Sequence, residues 1–257
     1  MDLGINNRRA LVTGGSKGIG FAVARRLALE GCDVVLVARS GDELKLAADG
    51  IRTETGRGVD VLPIDLSERG AAANIVAAHP DIDILVNNAG AIPTGTLEEI
   101  SDQTVRDAWD VKVFGYMDLC RHYLPRMRQR REGVILNIIG VAGEALDTKY
   151  IAGSVGNAAP IAFTKALGST SMNDGIRVVG INPGPVLTER LMGRMKKRAA
   201  EQLGDADRWP EIASAMPGGR AAHVDEIAAT AALLCSPLSS YTTGAVFNID
   251  GGISNRR

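Results

Sequence analysis

The sequence predicts a doubly wound α/β fold, a seven-stranded parallel sheet with helices on both faces, in one domain over residues 1–257. Two observations predict it. Short β-branched runs alternate strictly with helix-period segments, which implies crossover connections and a sheet covered on both sides. A glycine-rich turn also follows the first strand and opens the first helix.

The elements follow in order. A strand over 10–13 leads through the glycine turn into a helix over 19–30, with Gly31 placed to end it as a C′ residue. Val34-Val35-Leu36-Val37 is the second strand, and a helical pattern covers 41–54. The third strand is 59–62, followed by a helix near 67–78 for which Ser67 is the expected N-cap. A fourth strand over 82–86 precedes a long helix over 101–130 with Ser101 as its cap. The fifth strand is 134–138, the next helix 153–172, and the sixth strand 176–181. Residues 186–220 then break the alternation with a charged stretch and Pro217-Gly218-Gly219, an insertion expected to act as a lid at the carboxyl edge of the sheet. A helix over 223–235 and a strand over 245–249 close the pattern.

Composition narrows the function. Hydrophobic residues at 45% and charged residues at 23% are globular averages. Lys plus Arg (29) against Asp plus Glu (30) leaves a formal charge of −1, so no overall field draws in a phosphate backbone or an anionic membrane. Nucleic acid and membrane are therefore not expected partners. Cys32, Cys120 and Cys235 are isolated and read as reduced and buried, without metal-ligand spacing. The first residues lack the apolar stretch of a secretory signal, and a cytoplasmic location is expected.

In Thr13-Gly14-Gly15-Ser16-Lys17-Gly18-Ile19-Gly20, glycines at 14, 18 and 20 suit a tight turn, close approach of backbone N–H groups to a pyrophosphate, and packing of the helix on the sheet. This is a dinucleotide-binding signature, and it makes the fold Rossmann-type. At the end of the second strand, where an acid would bond the 2′-hydroxyl of NAD, stand Arg39 and Ser40. Arg39, Lys17 and Ser40 suit a 2′-phosphate instead, and NADP(H) is the expected cofactor. Asp65 and Leu66 are placed to meet its adenine edge.

These motifs, with Asn87-Asn88-Ala89-Gly90 after the fourth strand, Pro183-Gly184-Pro185-Val186-Leu187-Thr188 after the sixth, and Asp250-Gly251-Gly252, resemble the short-chain dehydrogenase/reductase family from Arg8 to Gly252. The resemblance implies that Asn88, Ala89 and Gly90 line the cofactor ribose and that Pro183, Gly184, Val186 and Thr188 hold the nicotinamide carboxamide. It also implies a homodimer or homotetramer formed through the helices at 101–130 and 153–172.

Members of that family transfer hydride with an Asn–Ser–Tyr–Lys set, the tyrosine exchanging a proton with the substrate oxygen. Here the Asn position falls on Lys112 and the Ser position on Gly140. Counting back from Ala162-Phe163-Thr164-Lys165 puts Tyr on Gly153 and Lys on Asn157. The family's usual serine-to-tyrosine spacing, counted from 140, also ends on 153.

Three readings are open at this stage. A displaced acid is the first: Tyr150 swings into volume vacated by the glycines, Lys112 supplies positive charge beside it, Ser154 bonds the substrate oxygen, and Asn157 meets the nicotinamide ribose. The ordinary alternatives are a loop tyrosine, a helix-start serine, a cofactor-only asparagine, and a lysine paired with Glu144 or Asp147. In the second reading, cofactor positioning alone drives turnover, since orientation contributes about 7–11 kcal/mol against about 10²–10⁴-fold from general acid catalysis. In the third, the chain is an inactive nucleotide-bound sensor or structural subunit. Thr188, Asn88 and the lid-like segment favour an oxidoreductase acting on a small carbonyl or alcohol. Lys196, Lys197 and Arg198 are read as a solvated helix face.

Overall fold

The computed structural model describes residues 1–256. Seven strands form, β1 (Arg9–Thr13), β2 (Asp33–Ala38), β3 (Val59–Pro63), β4 (Ile84–Asn87), β5 (Gly133–Ile138), β6 (Ile176–Pro183) and β7 (Val246–Ile249), joined in one sheet of order β3-β2-β1-β4-β5-β6-β7. All the pairings are parallel. The order reverses between β1 and β4, so the crevice above their carboxyl ends is where a doubly wound sheet accepts its ligand.

Alternation along each strand divides the core. Ala10, Val12, Val34 and Leu36 pack with α1 (Gly18–Leu29), α2 (Gly41–Thr55) and, through Ile227, Ala228 and Ala231, the helix over 224–235 on one face. Leu11, Val35, Val37 and Leu85 pack on the other face with α3 (Ala71–Ala78), the helix over 115–130 and the helix over 151–171. Both faces are apolar, which explains why the strands read as continuous β-branched runs rather than as alternating ones.

Three helices differ from expectation by two residues or more. The helix expected from residue 67 begins at Ala71, because the Ser67 N–H and hydroxyl both bond Asp65 Oδ1 (2.9 and 2.7 Å) and Gly70 takes the capping position at φ +86°. The long helix expected over 101–130 is α4 (Asp102–Trp109) and α5 (Gly115–Arg130), separated by a π-helical turn over Asp110–Phe114 that holds Lys112. Such turns re-aim side chains within a helix. The next helix, α6 (Ile151–Ser171), starts two residues early and brings Gly153 and Ser154 into its first turn. Ser101 does cap α4, accepting from the Thr104 N–H.

The segment after β6 folds as α7 (Glu189–Leu203) and α8 (Trp209–Ser214), followed by α9 (Val224–Cys235). All three cysteines are free and buried, and burial pushes each thiol up to about 12. Among the described residues no helix is long and apolar enough to cross a membrane.

Candidate active site

The crevice begins at the amino end of α1. Gly14 and Gly18 have φ of +64° and +59°, conformations that suit glycine. A Cβ on Gly20 would lie 2.2 Å from the Gly14 carbonyl oxygen, so this position admits no side chain. Lys17 opens α1 without a side-chain cap, and no acidic residue occupies the first turn. The first N–H groups of a helix that is not otherwise capped suit a pyrophosphate. Ile19 packs against the core from this turn.

Asn88 fixes the loop from below. Its Nδ2 donates to the Thr13 carbonyl (2.9 Å), while Thr13 Oγ1 accepts from the backbone N–H of Asn88 (2.9 Å) and of Ala89 (3.0 Å). Gly90 leaves room for a passing side chain, since a Cβ there would stand 2.7 Å from Lys112 Cδ. On the opposite wall, a Cβ on Gly184 would meet Asp250 Cα at 2.7 Å, and Val186 is buried and bridged to Ala222. Thr188 caps α7 and faces Gly18, with its Cγ2 3.4 Å from where a Cβ would stand. The wall from Pro183 to Thr188 thus closes on the glycine loop.

At the second-strand end the basic residues are present, with a partner that the sequence had not suggested. Glu43, in the first turn of α2, accepts from Lys17 Nζ (2.9 Å) and Ser16 Oγ (3.2 Å), while Ser40 caps α2 through the Glu43 N–H. Arg39 is 81% exposed and lies 3.9 Å from Asp65. Partial burial pushes the Asp65 carboxyl up, but the Ser67 bonds and the Arg39 charge hold it below the ordinary range. Asp65 Oδ1 is engaged in its own turn with Ser67, beside Leu66.

The expected reactive end lies where β4, β5 and α6 meet. A Cβ built on Gly153 would stand 2.1 Å from Tyr150 Cζ, so the Tyr150 ring fills the space that a side chain at 153 would need. Tyr150 is held there by a bridge to Gly95 and by packing against Ile92, Ala152 and Trp109, whose Nε1 donates to the Ala152 carbonyl (3.0 Å). Its hydroxyl donates to the Ile92 carbonyl at 3.3 Å. Gly140 plays a matching part for Asn157: a Cβ there would meet Asn157 Oδ1 at 2.9 Å, while Asn157 Nδ2 donates to the Gly153 carbonyl (2.7 Å).

Two of the expected site residues have other partners in the structure. Lys112 makes no hydrogen bond to Tyr150 and pairs with neither Glu144 nor Asp147. Aimed inward by the π-helical turn, its Nζ donates to Tyr116 Oη (3.0 Å) and to the carbonyls of Ile138 (2.6 Å) and Ile139 (3.0 Å). The charges near Tyr150 come from α7 instead. Arg190 Nη2 donates to the same Ile92 carbonyl (2.7 Å), and the Arg194 guanidinium lies 6.0 Å from the Tyr150 ring centre. Ser154 is also engaged, because its hydroxyl accepts from the Asp147 N–H (3.1 Å) and faces the Asp147 carbonyl (3.4 Å), which closes the 147–154 loop.

Tyr116, Arg190 and Arg194 were missed from the sequence. The spacings of Lys112 to Tyr116 and Arg190 to Arg194, each one helical turn, were the available signals.

Burial, then the nearby Arg190 charge, lowers the Lys112 ammonium from 10.5 to about 7. Between about 7 and the unfolded lysine value near 10.5, the folded chain holds fewer protons than the unfolded one. Stability therefore rises with pH across that window, and the full penalty stands below it. Lys112→Met is expected to flatten the profile by up to about 1.4 kcal/mol per pH unit. Urea unfolding of both proteins from pH 7 to 10 checks this, and parallel slopes would show that Lys112 does not titrate on folding.

A family model described as Enoyl-(Acyl carrier protein) reductase matches residues 14–254. The chain is 32% identical over 255 residues to a 3-oxoacyl-acyl-carrier-protein reductase of Chlamydia trachomatis, an alignment covering 96% of this chain and 98% of that protein. The structure is similar to L-sorbose reductase from Gluconobacter frateurii complexed with NADPH and L-sorbose (TM-score 0.92, 31% identity, all of both chains). It is also similar to a structure titled a short chain dehydrogenase/reductase family protein (TM-score 0.86, 32% identity, all of both chains).

Proposed function

The chain belongs to the short-chain dehydrogenase/reductase family, and from that premise we propose that it is an NADP(H)-dependent oxidoreductase whose proton donor is Tyr150, displaced by three residues from the usual tyrosine position. The observation that carries this is the Tyr150 ring lying in the space a side chain at Gly153 would occupy.

The glycine loop and the open α1 terminus would hold the cofactor pyrophosphate; Asn88, Ala89 and Gly90 the ribose; and the wall from Pro183 to Thr188 the nicotinamide. NADPH, when bound, supplies the hydride. Tyr150 then delivers a proton from Oη to the substrate carbonyl oxygen, and the alcohol product leaves Tyr150 to be reprotonated from solvent. Asn157, against Gly140 and Gly153, shapes the floor beneath the ring. Lys112 ties the π-helical turn before α5 to the end of β5 beneath the site and acts as a positioning residue. We assign α7 and α8 to a lid closing over the substrate. The exposed Phe114 and Val155, near the α5 and α6 faces, support association of copies through those helices.

Arg39, Lys17 and Ser40 favour the 2′-phosphorylated cofactor. A charge-assisted hydrogen bond contributes about 1.5–3 kcal/mol, so Arg39→Ala is expected to weaken NADPH binding roughly tenfold or more and NADH binding little. Calorimetric titration of both cofactors checks this; equal losses for the two would assign Arg39 elsewhere.

Stopped-flow NADPH oxidation against a panel of small carbonyl compounds, beside an NADPH binding titration, tests the activity. Turnover is the expected result. Tight binding without turnover on any substrate would leave a nucleotide-bound sensor in place of an enzyme.

A further inference from the structure

Resting on that reading, we propose that the carbonyl substrate carries a negatively charged group, a carboxylate or a phosphate, which Arg190 and Arg194 of α7 receive beside Tyr150.

Position is the first support. Thr188, the cap of α7, faces Gly18, so the first two turns of α7 lie along the rim of the crevice. From there Arg190 shares the Ile92 carbonyl with the Tyr150 hydroxyl, and Arg194 lies against the Tyr150 ring. Both guanidinium groups therefore border the place where a carbonyl oxygen would meet Tyr150.

Charge is the second. Among the described residues, neither arginine has a carboxylate within 4.0 Å, whereas Lys196, Lys197 and Arg208 of the same segment face Asp207, Glu201 and Glu211. The acids near the crevice are committed elsewhere. Glu144 accepts from Asn248, and Asp147 Oδ1 accepts from the Lys149 N–H. Arg190 and Arg194 are both exposed, yet partial burial and then the Arg194 charge lower the Arg190 guanidinium, which acts in turn on the buried Lys112. Two like charges held side by side without a counter-charge favour a bound anion. Arginine also suits carboxylate and phosphate through its paired donors.

The test uses the NADP-loaded protein and titrates 4-oxopentanoate, its methyl ester and dihydroxyacetone phosphate by calorimetry, then measures NADPH oxidation with each. At least one of the two anions is expected to bind about tenfold more tightly than the neutral ester, and the preferred one identifies the source of the charge. Arg190→Gln and Arg194→Gln are each expected to reduce that preference about tenfold through KM, while ester reduction persists. Equal affinity for acid and ester would overturn the proposal, as would a preference unchanged in both variants. So would a loss of NADP affinity in the variants with no anion binding to the loaded protein, which would assign the arginines to the cofactor. Anion binding that both variants weaken, without turnover of these compounds or of any in the carbonyl panel, would keep the anion site and remove the oxidoreductase reading; turnover of neutral ketones alone would do the reverse.

Discussion

Replacing Tyr150 with phenylalanine is expected to lower turnover by about 10²–10⁴-fold, the range that a positioned general acid contributes, while leaving NADPH affinity nearly unchanged. The ring would stay over Gly153, because its packing against Ile92, Ala152 and Trp109 does not use the hydroxyl. Only the 3.3 Å bond to the Ile92 carbonyl is lost, which costs about 1 kcal/mol in stability. Single-turnover NADPH oxidation separates hydride transfer from cofactor release. A variant that transfers hydride at the wild-type rate would remove Tyr150 from the chemistry.

Gly153→Ala is expected to abolish most activity without touching the hydroxyl. The new Cβ would stand 2.1 Å from Tyr150 Cζ, far inside van der Waals contact, so the ring must leave. Overpacking of this kind costs about 1–3 kcal/mol, against which alanine in a helix gains about 1 kcal/mol over glycine. The two changes are therefore coupled. In a Tyr150→Ala background the same Gly153→Ala substitution has no ring to displace and should stabilise α6. Thermal unfolding of the four proteins of that cycle measures the coupling, and additive effects would mean that ring and glycine do not share the space.

The strands and the cofactor loop were legible because both are written in local sequence. β-branched runs report a sheet buried on both faces, and Gly14, Gly18 and Gly20 report backbone that admits no side chain. Spacing also suggested which positions stand in for the tetrad and that Tyr150 could fill one of them, a reading that the Tyr150 and Gly153 variants test. What remained hidden depends on side-chain direction across elements. The π-helical turn over Asp110–Phe114 turns Lys112 onto the Ile138 and Ile139 carbonyls, and nothing in the spacing of that helix announced it. Arg190 and Arg194 reach Tyr150 only because α7 starts against Gly18. Glu43 meets Ser16 and Lys17 across a separation of 27 and 26 residues, a pairing made by the fold. Ser67 failed as a cap because Asp65, two residues before it, competed for its N–H and hydroxyl.

A crystal structure with NADP and an unreactive substrate analogue bound tests the relocated proton donor most directly, through the distance from Tyr150 Oη to the analogue's oxygen. Hydrogen-bond contact is expected, about 2.6–3.2 Å, with the ring still over Gly153. An oxygen held instead by another group, with Tyr150 Oη remaining on the Ile92 carbonyl, would contradict it.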